Sequence, residues 1–306
     1  MNSVVILDGG LATELERRGA DLSDPLWSAR VLLENPNLIR KVHEAYFAAG
    51  ADVATTASYQ ASVPGFARLG LSEREALGLI RLSVQLADQA RRATGNEGLI
   101  AGSVGPYGAA LADGSEYRGN YGISPDALAE FHFPRLRALL EAGAEILAIE
   151  TCPSPLEAMV VLELLSHWPG ARAWVSFTCR DQSHVSEGQP IEDAVRAVSI
   201  SPQVVAVGVN CIAPHLMDGL IVRMRSATDL PLVVYPNSGE TWDAAAREWR
   251  GTPDAFDPAR DVSRWIGLGA RWVGGCCRTT PETIAAIRKA VSREPSAVSR
   301  EQNKGP

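Results

Sequence analysis

The chain has 306 residues, 46% of them hydrophobic, which is ample for a buried core in one large or two ordinary α/β domains. A net charge of -7 removes the electrostatic case for nucleic acid, and no polybasic run or bilayer-length apolar stretch points to a membrane. "MNSVVILDGG" lacks the basic region and apolar core of a signal peptide, and five scattered cysteines, an odd count, are no disulfide framework, so a reducing cytoplasm is the expected setting.

Taken in chain order, eight short apolar segments bounded by turn residues read as buried strands: Val4–Leu7, Asp52–Thr56, Leu99–Ser103, Glu145–Ile149, Ala173–Phe177, Val204–Asn210, Leu232–Tyr235 and Trp272–Gly275. Helical periodicity fills the intervals at Pro36–Ala49, Ser72–Ala93, Pro125–Ala142, Pro155–Ser166, Ile191–Val198, His215–Ser226, Asp257–Leu268 and Pro281–Val291. "SPDALAEF" and "TTPETIAAI" place Ser or Thr before a proline at the first helical position, a start signal. "AGAD" at Ala49–Asp52, "AGAE" at Ala142–Glu145 and "GLGAR" at Gly267–Arg271 recur where a helix ends and a strand begins, as C-caps with tight turns.

Continuous apolar strands alternating with helices specify a parallel sheet covered on both faces. Eight such units in this length fit a (β/α)₈ TIM-type barrel better than an open sheet. Nothing marks a linker, so a single barrel domain over residues 1–293 is expected, with a polar, disordered tail at residues 294–306.

Such a barrel carries its chemistry at the carboxyl ends of its strands. There the sequence collects "LDGG", "TTASYQ", "GSVGPYG", "IETCPS", "GVNC", "YPNSGE" and "GGCC". Cys211 ends strand six and the adjacent Cys276 and Cys277 end strand eight, on the same rim and roughly 10 Å apart across two strand spacings. Loops can narrow that gap. Three thiolates at about 2.3 Å from a Zn²⁺ ion would leave the fourth tetrahedral position open, as in a catalytic zinc site. The glycines before the pair allow the sharp turn that aims both sulfurs inward. Packing as small buried hydrophobes is the competing reading for any cysteine, and it is the one adopted for Cys152 and Cys179.

Zinc held by three thiolates carries a negative local charge and activates water poorly. It suits a thiol ligand, which it keeps ionised at neutral pH. A thiol substrate meeting an electrophile means alkyl transfer rather than hydrolysis. Asp8 and Glu150 suit an α-ammonium group, while backbone N–H groups near Gly9, Gly10 and the "TTASYQ" turn suit a carboxylate. Asp8 could instead shape a turn, Glu150 could serve a structural ion pair, and Asn210 could orient a thiolate, hold the carboxylate or satisfy backbone groups.

"LDGGLATELERRG", "TTASYQ", "AGSVGPYGA", "ADGSEYRG", "GVNC", "VVYPNSGE" and "GGCCRTTP" together resemble the zinc-dependent homocysteine S-methyltransferases, over Val5 to Val291. "LWSA" and "YPNSGE" are most similar to the bacterial enzymes that use S-methylmethionine. The resemblance implies a (β/α)₈ barrel with zinc on Cys211, Cys276 and Cys277. It also implies homocysteine contacts at Asp8, Gly9 and Glu150, and further ones at Thr56, Ser58 and Asn210.

Methyl donors differ within the family. The chain has no room after the barrel for folate and cobalamin modules, which leaves a sulfonium or quaternary ammonium donor. Such a cation wants aromatic faces and carboxylates. Trp27 matches a donor-side tryptophan of betaine-using relatives, and Tyr59, Tyr117 and Tyr121 are further candidates. The long C-terminal extension of the betaine enzymes is missing, which favours S-methylmethionine or S-adenosylmethionine and a monomer or small homo-oligomer. Two rivals are a zinc or thiol sensor without turnover and a zinc hydrolase. The hydrolase would need His or carboxylate ligands, and His43, His132, His167, His184 and His215 lack metal-binding spacing.

Overall fold

The computed structural model of the chain describes residues 4–22, 28–243, 248–252 and 256–293. Trp27 and the tail at residues 294–306 lie outside the described residues. All eight expected strands form: Val5–Ile6, Val53–Thr55, Leu99–Val104, Ile146–Cys152, Ala173–Phe177, Val204–Asn210, Leu232–Tyr235 and Ala270–Val273. They pair in parallel in the order one, eight, seven, six, five, four, three, two.

Among the described residues strand one meets strand two at the Leu7–Val53 bridge, and Asp52 completes the closure with both backbone and side chain. Asp52 donates its N–H to the Ile6 carbonyl at 2.7 Å. Its carboxylate accepts the Ile6 N–H at 2.8 Å, standing in for a missing ladder partner. Arg288, on the last helix, holds the other carboxylate oxygen. The aspartate of the "AGAD" turn is therefore a seam residue of the barrel.

The expected helices appear at Pro36–Ala48, Glu73–Thr94, Pro125–Glu141, Pro155–Leu165, Ile191–Ser199, Met217–Ala227, Pro258–Leu268 and Pro281–Arg293. Local chemistry fixes their ends. Ser72 and Glu75 form a reciprocal capping box before the longest helix, and Gly95 closes it in the left-handed conformation. Gly50, Gly143 and Gly269 have φ of 101°, 94° and 120°, as the repeated cap-and-turn pattern requires.

Residues at alternate strand positions point into the barrel. The lower interior is apolar, with Val53, Ala101, Ala148, Trp174, Ala206 and Val233 among its members. Two residues further along each strand the inward positions become Thr55, Ser103, Glu150, Ser176 and Tyr235, with Asn210 two beyond Gly208. This switch from apolar to polar builds the floor of the site.

Candidate active site

Above that floor lies a cavity of about 130 Å³ at the carboxyl ends of the strands, lined by Asp8, Gly9, Thr56, Glu150, Cys211, Cys276 and Cys277 among others. The ligand atoms of the three cysteines all lie within 4.8 Å of one another. Cys211 Sγ is 3.5 Å from Cys277 Sγ. Sulfurs around a tetrahedral zinc at about 2.3 Å would stand about 3.8 Å apart, so the trio fits such an ion with small adjustments. Cys152 and Cys179 are buried elsewhere with free thiols.

Backbone geometry brings the trio together. Cys211 turns off strand six at φ 53°, and Thr151 on strand four has φ 58°. These left-handed conformations cost non-glycine residues about 1–3 kcal/mol each, most of all a β-branched one. The Asn210 side chain locks the one at Thr151. Asn210 Oδ1 accepts the Thr151 N–H at 2.8 Å. Its amide N–H₂ donates to Thr151 Oγ1 at 2.8 Å and approaches Cys276 Sγ at 3.9 Å.

The cysteine pair sits in a tethered turn. Cys276 N–H donates to the Pro236 carbonyl at 2.7 Å, and Gly275 N–H to that of Asp8 at 3.1 Å. Thr279 Oγ1 donates to the Cys276 carbonyl at 2.7 Å. Gly10 must be glycine here, because a Cβ would stand 2.7 Å from the Cys276 carbonyl oxygen. In this cluster the hydrogen bonds that Cys211 shares with Cys276 and Cys277, and then with the Tyr117 hydroxyl, hold its thiol well below the usual range against burial. The neighbours Cys276 and Cys277 are correspondingly pushed up.

Asp8 accepts both the N–H and the hydroxyl of Thr55 at 2.8 Å. Burial nevertheless raises its carboxyl to about 8, with the nearby Glu150 adding to the effect. Glu150 lies within strand four, which runs on to Cys152 rather than stopping before it. It accepts from Ser103 Oγ at 2.5 Å and from the Tyr235 hydroxyl at 3.1 Å. Burial raises it to about 7 against those hydrogen bonds.

Thr56 is in the cavity wall, whereas Ser58 and Asn210 stand behind it. Ser58 Oγ is engaged with Thr56 Oγ1 and the Ser103 carbonyl, each at 2.7 Å. Asn210 Oδ1 also accepts from Ser176 Oγ at 2.8 Å, so its amide is committed to protein partners. The Gly10 N–H donates to Thr279 Oγ1 at 3.2 Å. Those of Thr56 and Ser58 donate to backbone carbonyls. Of the aromatic candidates, Tyr59 and Tyr117 line the cavity; Tyr121 packs edge-on against Tyr107 at 5.5 Å instead.

Sequence reasoning missed Ser103, Ser176 and Tyr235, polar residues at inward positions of apolar strands. Period-two inspection of "AGSV", "WVSF" and "LVVY" would have found them. It also missed Trp249, brought to the wall by an antiparallel hairpin of Thr241–Asp243 and Glu248–Arg250. Glu116, in the 3₁₀ turn Ser115–Tyr117 of "ADGSEYRG", was quoted within a motif but given no role.

Three acids, Asp8, Glu116 and Glu150, and three thiols line the cavity, and no Lys, Arg or His joins them among the described residues. Fold and site together define a (β/α)₈-barrel enzyme with a tricysteine centre suited to a metal ion, at the mouth where such barrels do their chemistry. Residues 5–291 match the family model described as Homocysteine S-methyltransferase, and the chain belongs to that family. It is 52% identical to the Homocysteine S-methyltransferase of Escherichia coli (strain K12), over 93% of this chain and 94% of that one. It is 48% identical to Homocysteine S-methyltransferase YbgG of Bacillus subtilis (strain 168), over 93% of each. The crystal structure of the homocysteine methyltransferase MmuM from Escherichia coli in its metallated form superposes with a TM-score of 0.84 at 50% identity, covering 94% of this chain and 96% of that one. Among the described residues no helix is long and apolar enough to cross a membrane.

Proposed function

We infer that this enzyme moves a methyl group from a sulfonium donor, S-methylmethionine foremost, to the sulfur of L-homocysteine, giving methionine. The observation that carries the reading is the convergence of Cys211, Cys276 and Cys277 within 4.8 Å, beside a cavity walled by carboxylates and by no cation among the described residues. Such a wall calls for ligands that bring positive charge: a metal ion, an amino acid's ammonium group and a cationic donor.

Cys211, Cys276 and Cys277 would hold the ion, and zinc suits three sulfur ligands better than a hard cation does. Zinc there would supply a homocysteine sulfur ionised at neutral pH. Asp8 and Glu150 bind the homocysteine ammonium, each already anchored by neighbouring strands. Gly9 and Ala57, both in the wall, offer backbone to the carboxylate, with Thr56 beside them. Asn210 braces Thr151 with two hydrogen bonds and brings its amide near Cys276 Sγ.

The homocysteine thiol releases its proton to solvent water as it enters the site, and the sulfur attacks the methyl carbon in line. The new S–CH₃ bond takes the sulfur's electron pair as the donor's C–S bond breaks, and that bond's pair leaves on the departing thioether. Thiolate and sulfonium become two neutral thioethers, so charge is lost along the path. A small cavity that excludes water favours such a step, and no general acid is needed. The free thiols suit a reducing compartment such as the cytoplasm.

The test is to incubate zinc-loaded protein with homocysteine and, separately, S-methylmethionine, S-adenosylmethionine and betaine, then measure methionine. S-methylmethionine should give the fastest formation. A preference for betaine, or no product from any donor, would overturn the reading.

A further inference from the structure

Glu116 is a buried carboxylate with an unexplained free oxygen. It is 7% exposed, lines the cavity, and its Oε2 has no hydrogen-bond partner. Nothing in the local fold needs it charged there. The Gly108 backbone is packed so closely against the Glu116 N–H that a Cβ on Gly108 would stand 2.5 Å from it, so the turn is fixed by packing. The nearest cation in sequence, Arg118, is largely exposed and faces Asp113 at 4.0 Å. Burial accordingly holds the Glu116 carboxyl up near about 7 in the absence of a ligand. A desolvated acid at a cavity wall, with its own backbone N–H as its one hydrogen-bond donor and one oxygen left unpartnered, costs stability unless a cation arrives.

Its surroundings resemble a cation cage. Tyr59 and Tyr117 line the same cavity. Tyr117 also reaches the metal-side sulfurs, its hydroxyl 3.3 Å from Cys211 Sγ. The 3₁₀ turn thus joins the thiol cluster to the carboxylate: one residue touches Cys211 and its neighbour belongs to the cavity wall. Asp8 and Glu150, held by Thr55, Ser103 and Tyr235, come from the barrel strands, whereas Glu116 comes from the loop after strand three. Two strand carboxylates for the homocysteine ammonium leave the loop carboxylate for a second positive charge.

We propose that Glu116 is the counter-ion for the sulfonium centre of the methyl donor, with Tyr59 and Tyr117 supplying aromatic faces, and that it sets selectivity for a charged donor. This rests on the sulfonium-donor reading above. Tyrosine faces attract a sulfonium through the ring quadrupole, and a carboxylate in a desolvated wall attracts it more strongly than in water. A neutral thioether gains nothing from either, so the same group aids release of the product after transfer.

The experiment is equilibrium titration of zinc-loaded protein with S-methylmethionine and with homoleucine, its uncharged carbon isostere, for wild type and Glu116→Gln. The isostere keeps the amino-acid end, so the ratio of the two affinities reports only the sulfonium charge. Wild type should favour S-methylmethionine by about tenfold or more, and Glu116→Gln should bring the ratio close to one while homocysteine affinity moves less than about twofold. An unchanged ratio in the variant overturns the assignment, as does an equal weakening of both ligands, which would place Glu116 at the ammonium end. If Glu116→Gln does not fold, Glu116→Asp retracts the charge by one carbon and should lower the ratio in part; an unaltered ratio there overturns it too. A wild type that neither binds nor turns over S-methylmethionine sinks the sulfonium reading itself, whereas turnover with an unchanged Glu116→Gln ratio sinks only the role of Glu116.

Discussion

Replacing Asp8 by Asn should stabilise the substrate-free protein and weaken homocysteine binding at once. The amide keeps an oxygen for the Thr55 N–H and gains a donor for Thr55 Oγ1, both at 2.8 Å from the native carboxylate. What it removes is a carboxyl that burial keeps protonated in the fold where the unfolded chain would ionise it. The Asp8 carboxyl sits near about 8 in the fold against 3.8 outside it, and each pH unit of such a difference is about 1.36 kcal/mol. At pH 7 the limit is about 4 kcal/mol; relaxation and water entry bring the expected gain to about 2 kcal/mol. For a chain of this size that is about 4 °C in Tm. Between pH 3.8 and about 8 the folded state keeps a proton that the unfolded state has lost, so this group lowers stability as pH rises through that window. The gain in the variant should therefore be near zero at pH 4 and largest near pH 8. Homocysteine meanwhile loses a charge-assisted contact of about 2 kcal/mol, or about 30-fold in Kd. Calorimetric melting of metal-loaded protein across pH, with homocysteine titration, reads both. A variant that melts lower than wild type at pH 8 and keeps its homocysteine affinity would refute the reasoning.

Cys276→Ala should lose stoichiometric metal and all measurable methionine formation; full activity after chelation would count against the thiol centre. Asn210→Ala strips the partners from Thr151, leaves its left-handed turn unsupported and removes the amide beside Cys276 Sγ, so metal affinity measured by chelator competition should fall about 10- to 100-fold. Asp52→Ala opens the seam between strands one and two, and urea unfolding should show a loss of about 1–3 kcal/mol with little change in metal content.

The strands were legible because parallel strands buried on both faces read as unbroken apolar runs. Helix limits followed from caps such as Ser72–Glu75 and Ser124 before Pro125, which act within a few residues. The tricysteine centre was legible through its spacing on strand ends two apart. Other features depend on partners distant in sequence. Asp52 reads as part of a turn, and only the closed barrel turns it into a ladder partner for Ile6. Short helices at Leu11–Arg17, Ser28–Glu34, Val63–Ala67 and Tyr107–Leu111 span too few turns to print a periodicity. The resemblance suggested substrate contacts at Ser58 and Asn210; that they stand outside the lining of the cavity, bonded to its wall, depends on side-chain placement that a motif does not carry. Glu116 escaped for a related reason, since burial without a partner is a property of the fold.

The most direct test of the tricysteine centre is X-ray absorption on zinc-loaded protein before and after homocysteine is added. Three sulfur neighbours about 2.3 Å from the metal should become four. A count that stays at three, or one below three in the free enzyme, would contradict the account.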